Sequence, residues 1–280
     1  MPLILPGNVA SATAVAGYSI ANSCRFNDGD SPYLSRTLGS ETNKDRWTWS
    51  QWVKRSTLGT TQCLHHIYTD GNNHQFFKFQ TADDLRMDAE VGGSSAGKLV
   101  STALYRDPSA WYHLVIVWDS ANGVAGDRMK MYVNGTEITS FSTDTNPSSG
   151  QDSWFYNTKV LQIGRDGRDQ GFFDGYMAEI VYIDGLALTP TSFGEFDEDS
   201  PTIWKPIDVS ELTFGNNGFW LDFEDSSALG NDVSGNNNDF TATNLAAADQ
   251  ATDTPTNNFC TMNPLANYIN GSTFTDGNNT

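Results

Sequence analysis

Four carboxylates crowd into Glu195-Phe196-Asp197-Glu198-Asp199. On an extended strand, residues 195, 197 and 199 would share one face, and two carboxyls ~5–5.5 Å apart there can act as nucleophile and acid/base on a glycosidic bond. The run opens the acidic, proline-bearing stretch GEFDEDSPTIWKP and has no flanking aromatic platform for a sugar. It therefore reads as a solvated acidic loop, and no catalytic residue is assigned. His65-His66 and His74 flank Asp70 in a Gly-Asn-Asn loop, too thin a set for a metal. His113, between Tyr112 and Leu114, reads as a satisfied histidine on a strand face. No Gly-x-Ser-x-Gly elbow, phosphate loop or His-Glu-x-x-His pattern occurs, so acyl transfer, nucleotide chemistry and zinc proteolysis lack motif support.

Two sets of residues point to binding instead. Asp225, Asp232, Asn236 and Asn238 form the densest cluster of carboxylate and amide oxygens, the ligand type that calcium selects, although the spacing is not that of an EF-hand and Asp-Ser-Gly-Asn is also ordinary turn chemistry. Trp154-Phe155-Tyr156 follows a Ser/Gly/Asp loop and lies close in sequence to Arg165, Asp166 and Arg168. An aromatic platform beside planar hydrogen-bonding groups is what a glycan requires, so Trp154, Tyr156, Arg165 and Arg168 are the candidate glycan residues, with core packing of the aromatics as the competing reading.

The elements that must position them are strands. From residue 23 to about 188, short β-type runs alternate with Gly, Asn, Asp and Ser clusters, and helical stripes are nearly absent. Trp47, Trp49 and Val53 fall on one side of a strand and Thr48, Ser50 and Trp52 on the other, so both faces carry aromatic bulk. Residues 113–118, HLVIVW, form the nearly continuous apolar run of a strand covered on both faces. Asn134-Gly135 predicts a two-residue hairpin, and Gly175 inside a strand-like run predicts a bulge or a close backbone approach.

These runs carry a family resemblance. WYHLVIVWDS followed by DRMKMYVNGTEI is similar to the laminin G-like and pentraxin-like signature, and LQIGRDG followed by FFDGYMAEIVYIDGLALT resembles its second half. SCRFNDGDSPYLSRT and WTWSQWVKR resemble the opening strands. The resemblance implies an all-β, concanavalin A-like two-sheet antiparallel sandwich, or jelly roll, over residues 23–200. That fold hosts lectins, glycosidases, adhesion modules and spacers alike, so it leaves the ligand open. Retaining glucanases of this fold carry a Glu-x-Asp-x-Glu strand; here position 199 is Asp.

Residues 1–22, punctuated by Pro2, Pro6 and Gly7, read as an extended arm that either lies on its own domain or docks on a neighbouring subunit. The start has no basic residue before Arg25, so export through a signal peptide is not expected, and no apolar stretch of ~20 residues predicts membrane insertion. Residues 201–280 read as a linker plus an acidic, Asn/Thr-rich region that packs on the sandwich or begins a further module. Cys24, Cys63 and Cys260 are odd in number and far apart, which argues against a disulfide framework. A formal charge of -18 argues against nucleic acid as a partner.

The whole arrangement also resembles virion structural proteins of marine tailed bacteriophages, with GFWLDFEDSSALGNDVSGNNNDF and the ending TPTNNF carrying the likeness. That resemblance implies a non-enzymatic tail-fibre, head-fibre or capsid-decoration protein, assembled in the host cytoplasm and located in the virion. Its implied partners are other virion proteins and itself, as a homo-oligomer such as a trimer joined through the arm, with a host-surface glycan as ligand. The alternatives are a carbohydrate-binding module and a glycoside hydrolase of the glucanase type.

Overall fold

The computed structural model describes residues 17–156 and 158–259. In chain order the strands are β1 (Ser23–Phe26), β2 (Tyr33–Thr37), β3 (Arg46–Arg55), β4 (Gln62–Asp70), β5 (Asn73–Phe79) and β6 (Asp84–Val91). Next come β7 (Ser94–Leu104), β8 (Trp111–Asp119), β9 (Met129–Val133), β10 (Thr136–Glu137), β11 (Phe141–Thr145) and β12 (Val160–Ile163). The last are β13 (Gly175–Asp184), β14 (Gly194–Phe196), β15 (Trp204–Pro206), β16 (Phe219–Leu221), β17 (Thr241–Thr243) and β18 (Gln250–Ala251). Among the described residues the only helical pieces are short 3₁₀ turns, and no helix is long and apolar enough to cross a membrane.

All named pairings are antiparallel and build two large sheets, as the alternating sequence pattern requires. One has the order β10-β9-β8-β3-β13-β1-β18, with β16 beside the far end of β13. The other runs β11-β7-β6-β5-β4-β12-β2-β17. Their inner faces enclose a core in which Trp47 stacks on Trp118 at 6.2 Å and Phe155 on Tyr182 at 4.4 Å.

The first sheet is also covered on its outer face, which explains the unbroken apolar run in β8. Val115, Val117, Val181 and Ile183 pack against Phe193, Val209 and Phe214. Trp52, Trp111 and Tyr176 pack against Trp204 and Ile20. The segment expected to be an acidic solvated loop thus forms a β14–β15 ribbon that straps this face, because Trp204 gains a buried site there. Trp204 Nε1 donates to His113 Nδ1 at 2.9 Å, leaving Nε2–H to donate to Ser50 Oγ at 2.8 Å. Both ring nitrogens of His113 are satisfied, and burial pushes its pKa down to about 3.

The region after residue 200 is integrated into the sandwich rather than set apart from it. Strand β16 pairs with β13, β17 with β2 and β18 with β1. Asp253 meets the buried Lys54 ammonium at 2.8 Å, and Asn258 Oδ1 and the Phe259 carbonyl accept from the same nitrogen. Of the expected N-terminal arm, residues 1–16 lie outside the described residues, as does Cys260. The described remainder lies on its own domain: Tyr18 donates to Glu179, and Ile20 is buried beside Trp52 and Tyr176.

Candidate ligand-binding face

With the first sheet strapped, the outer face of the second is the one left open to a ligand. Cross-strand register sets Gln162, His66, Phe76, Asp88 and Lys98 side by side on β12, β4, β5, β6 and β7. At ~4.8 Å per strand this row spans roughly 19 Å. A second row carries Tyr68, His74 and Glu90, and a third carries Lys78 and Arg86. The alternation that sends Phe77, Phe79, Met87 and Ala89 into the core sends these residues outward.

These rows and Arg168 enclose a cavity of about 230 Å³ lined by His66, Tyr68, His74, Phe76, Lys78, Arg86, Glu90 and Arg168. The size is below the ~300–1,000 Å³ typical of drug-sized sites, suited to one ring or one end of a larger molecule. Its polar groups are held by neighbours. Asp166 accepts from the Arg168 backbone N–H at 2.8 Å and from Nε at 2.9 Å, and Arg168 Nη2 joins the same carboxylate. Burial works to raise the Asp166 carboxyl, yet the hydrogen bonds from Arg168 outweigh it and hold it well below the usual range. Asp88 pairs with Arg86 and lies 3.5 Å from Lys98 Nζ.

His66 is fixed in one tautomer. The Gly167 N–H donates to its Nδ1 at 2.9 Å, which requires a lone pair there and puts the ring proton on Nε2. Asp166 Oδ1 stands 3.2 Å from the same Nδ1. Burial lowers the His66 pKa and keeps the ring neutral despite that carboxylate. His66 is 1% exposed and Asp88 0%, yet His66 Nε2 and Asp88 Oδ1 have no partner within the protein. A buried donor and a buried acceptor without partners cost about 1–3 kcal/mol each unless a ligand or ordered water completes them. Tyr68 adds a half-buried ring 5.4 Å from that of His66.

The four residues expected to gather around a glycan are split. Arg168 lines this cavity. Trp154 and Tyr156 stack at 5.7 Å along a different groove of about 510 Å³, bordered by Lys44, Val91 and residues 148–153. Their rings are already partnered by cations: Lys159 Nζ lies 4.6 Å from the Trp154 ring, and Lys44 Nζ 5.2 Å from that of Tyr156. Arg165 lies 3.4 Å over the Tyr33 ring and pairs with Asp169, lining neither cavity.

The candidate calcium residues differ from expectation as well. Asp232, Asn236 and Asn238 share one turn, but Asp232 Oδ1 accepts from the N–H groups of Trp220 and Ser234, both at 2.9 Å. Its Oδ2 accepts from Ser234 Oγ at 2.9 Å and the Asn238 N–H at 2.8 Å. Asn238 Oδ1 receives the Arg36 guanidinium, and Asn236 Nδ2 donates to the Gly215 and Gly218 carbonyls. Asp225 closes a separate turn through Ser227. The Asp232 oxygens face N–H and O–H donors and Asn238 Oδ1 a fixed cation, in a turn that ties residues 215–218 to β2. Among the described residues no group of three or more His, Cys, Asp or Glu side chains is arranged to hold a metal ion.

The acidic run shares one cation. Glu195 and Asp197 both reach the same cation, Lys205 Nζ, at 3.2 and 3.5 Å on the β14–β15 ribbon. A third cavity, of about 500 Å³ between residues 226–231 and 239–247, is lined largely by small side chains. The histidines of the sheet face were visible in the sequence only as a sparse His cluster, and Lys78, Arg86 and Asp88 carried no signal beyond strand alternation.

The chain resembles known proteins at the level of fold. A structure of a proposed carbohydrate binding protein from Bacteroides ovatus superposes with a TM-score of 0.52 at 16% identity, covering 81% of this chain and 61% of that one. A heptameric SAP-like pentraxin from Limulus polyphemus gives 0.44 at 19% identity, with 61% and 80% covered. Domains LG4-5 of the mouse laminin alpha1 chain give 0.43 at 14% identity, with 71% and 48% covered. No curated protein sequence matches the chain. The family profile of the concanavalin A-like lectin/glucanases superfamily matches residues 28–192. That match covers more than half of the chain and most of the strands of the two sheets, and on it the protein belongs to the concanavalin A-like lectin/glucanase superfamily.

Proposed function

We propose that this chain is a non-catalytic carbohydrate-recognition protein that binds saccharide on the outer face of its second sheet. The observation that carries the reading is a buried, unpartnered Nε2–H donor on His66 that lines a cavity together with Tyr68 and the side chains of Lys78, Arg86 and Arg168. A sugar presents hydroxyls that accept from such donors, and C–H faces that lie against an aromatic ring. The description of the Bacteroides ovatus neighbour as a proposed carbohydrate binding protein agrees with this reading. The test is a glycan array probed with the full chain, followed by calorimetry on the glycans retained. Tyr68→Ala is expected to weaken binding about tenfold or more, the loss of one good contact, with the melting temperature preserved. No retained glycan, or an unchanged affinity in Tyr68→Ala, overturns the proposal.

Absence of catalysis is part of the same reading and is supported by the shared Lys205 partner of Glu195 and Asp197. Bound glycans should release no reducing ends, and turnover abolished by Glu195→Gln would favour a hydrolase instead. The second reading concerns setting: we place the module in a virion appendage or capsid decoration as a homo-oligomer, its ligand a host-surface glycan. Support comes from the resemblance of GFWLDFEDSSALGNDVSGNNNDF and TPTNNF to phage structural proteins. Since residues 17–22 dock on their own domain, anchoring falls to residues 1–16. Normal incorporation into particles of a chain lacking residues 1–16 would remove that anchoring role.

A further inference from the structure

We propose that the saccharide held on this face carries an anionic substituent, a carboxylate or a sulfate, seated against Lys78, Arg86 and Arg168. The inference rests on the saccharide reading above and adds its chemical class. The chain has 34 acidic residues against 16 Lys+Arg, yet four of those 16, Lys78, Arg86, Lys98 and Arg168, gather on this one sheet face. A neutral sugar asks for hydrogen bonds and a ring; it does not ask for a concentration of positive charge.

The carboxylates on the face, Asp88, Asp166 and Glu90, fall one short of its four cations. Asp88 is shared between Arg86 and Lys98, and Asp166 is taken by Arg168. Lys78 is left over: among the described residues no ion pair reaches it, and its Nζ rests 4.0 Å from the Phe76 ring. It also stands directly across the ladder from Arg86, a like-charge pair that costs stability unless an anion lies between them. Burial lowers the Lys78 pKa, with Arg86 and Arg168 pushing the same way and Cys63 and Asp166 pushing against them. The neutral His66 Nε2–H adds a further unpartnered donor to the same cavity.

The face is polar in one direction. Along β6, outward residues run Arg86, Asp88, Glu90, opposite Lys78, Phe76 and His74. The anionic group therefore goes to the Lys78–Arg86 end, and Glu90 takes hydroxyls at the far end of the cavity. A ligand with its charge at the wrong end would meet Glu90.

The experiment uses the full chain on an array holding neutral, carboxylated and sulfated forms of the same glycan backbones, with affinities then measured by calorimetry for wild type, Lys78→Gln and Lys78→Arg. Expected is about tenfold or tighter binding of a charged form over its neutral parent, the worth of one charge-assisted contact. Whether the carboxylated or the sulfated form wins identifies the substituent. Lys78→Gln should bring the charged form down to the level of the neutral parent, and Lys78→Arg should keep the preference, both without loss of melting temperature. Neutral glycans bound as tightly as charged ones overturn this inference and leave the saccharide reading standing. Retention of no glycan overturns both, and an anionic preference that survives Lys78→Gln overturns the seat assigned here.

Discussion

A histidine that accepts a backbone N–H on one nitrogen has its proton committed to the other, and at His66 that second nitrogen has no hydrogen-bond partner within the protein. His113 is the contrasting case, with Trp204 and Ser50 on its two nitrogens. The expectation of a satisfied histidine was legible at position 113 because it sits inside an apolar run. Nothing in the sequence distinguished His66, whose partner Gly167 is far away in the chain. The same physics separates the two aromatic candidates. Trp154 and Tyr156 read as a sugar platform, but their rings meet Lys159 and Lys44. Tyr156→Ala is therefore expected to leave saccharide affinity within about twofold, far below the tenfold of a lost contact. Calorimetry on a glycan retained by the wild type checks this, and a tenfold loss would move the site to the rim groove.

Tight turns and close backbone approaches were the most legible features, since backbone sterics leave few residues able to build them. Asn134 and Gly135 take φ of 48° and 75°, as a two-residue hairpin requires. Gly175 has φ of 147°, and a Cβ there would overlap the Lys54 carbonyl oxygen of the neighbouring strand. Gly175→Ala is expected to destabilise the protein by about 2 kcal/mol or more, from strain and overlap together. An unchanged urea midpoint would show that β3 and β13 can part at no cost. The bulge at residues 179–180 was not legible. Two residues of β13 there oppose one of β3, and Glu179 takes φ of 47°. Its carboxylate then lies among Tyr18, Trp220 and the strap, contacts that only the covered sheet creates.

For the molecule as a whole, those buried groups set the pH dependence of stability. Burial, with Asp222 and Glu224 adding to it, pushes Glu179 up to about 8 against the donors Trp220 and Tyr18. Unfolded, it ionises near 4.5, so the native state holds the extra proton between pH 4.5 and 8 and stability falls as pH rises through that window. His65 and His113, held down to about 3 by burial, work in the opposite sense: the unfolded chain takes up protons below about 6.5, and stability falls as pH drops from there. The unfolded histidines are still half protonated at pH 6.5, so the Glu179 slope is isolated by comparison with a variant that lacks it. From pH 6.5 to 8 the urea midpoint of wild type should fall relative to that of Glu179→Gln; parallel slopes would show that Glu179 is ionised in the native protein. At this scale the sequence by itself determined the two-layer sandwich, because side-chain alternation along a strand and the few residues tolerated in tight turns are local properties. Which sheet is strapped and which stays open, and that residues 66, 76, 88, 98 and 162 form one row, were decided by the tertiary structure alone. Strand order and register join positions that no local rule connects.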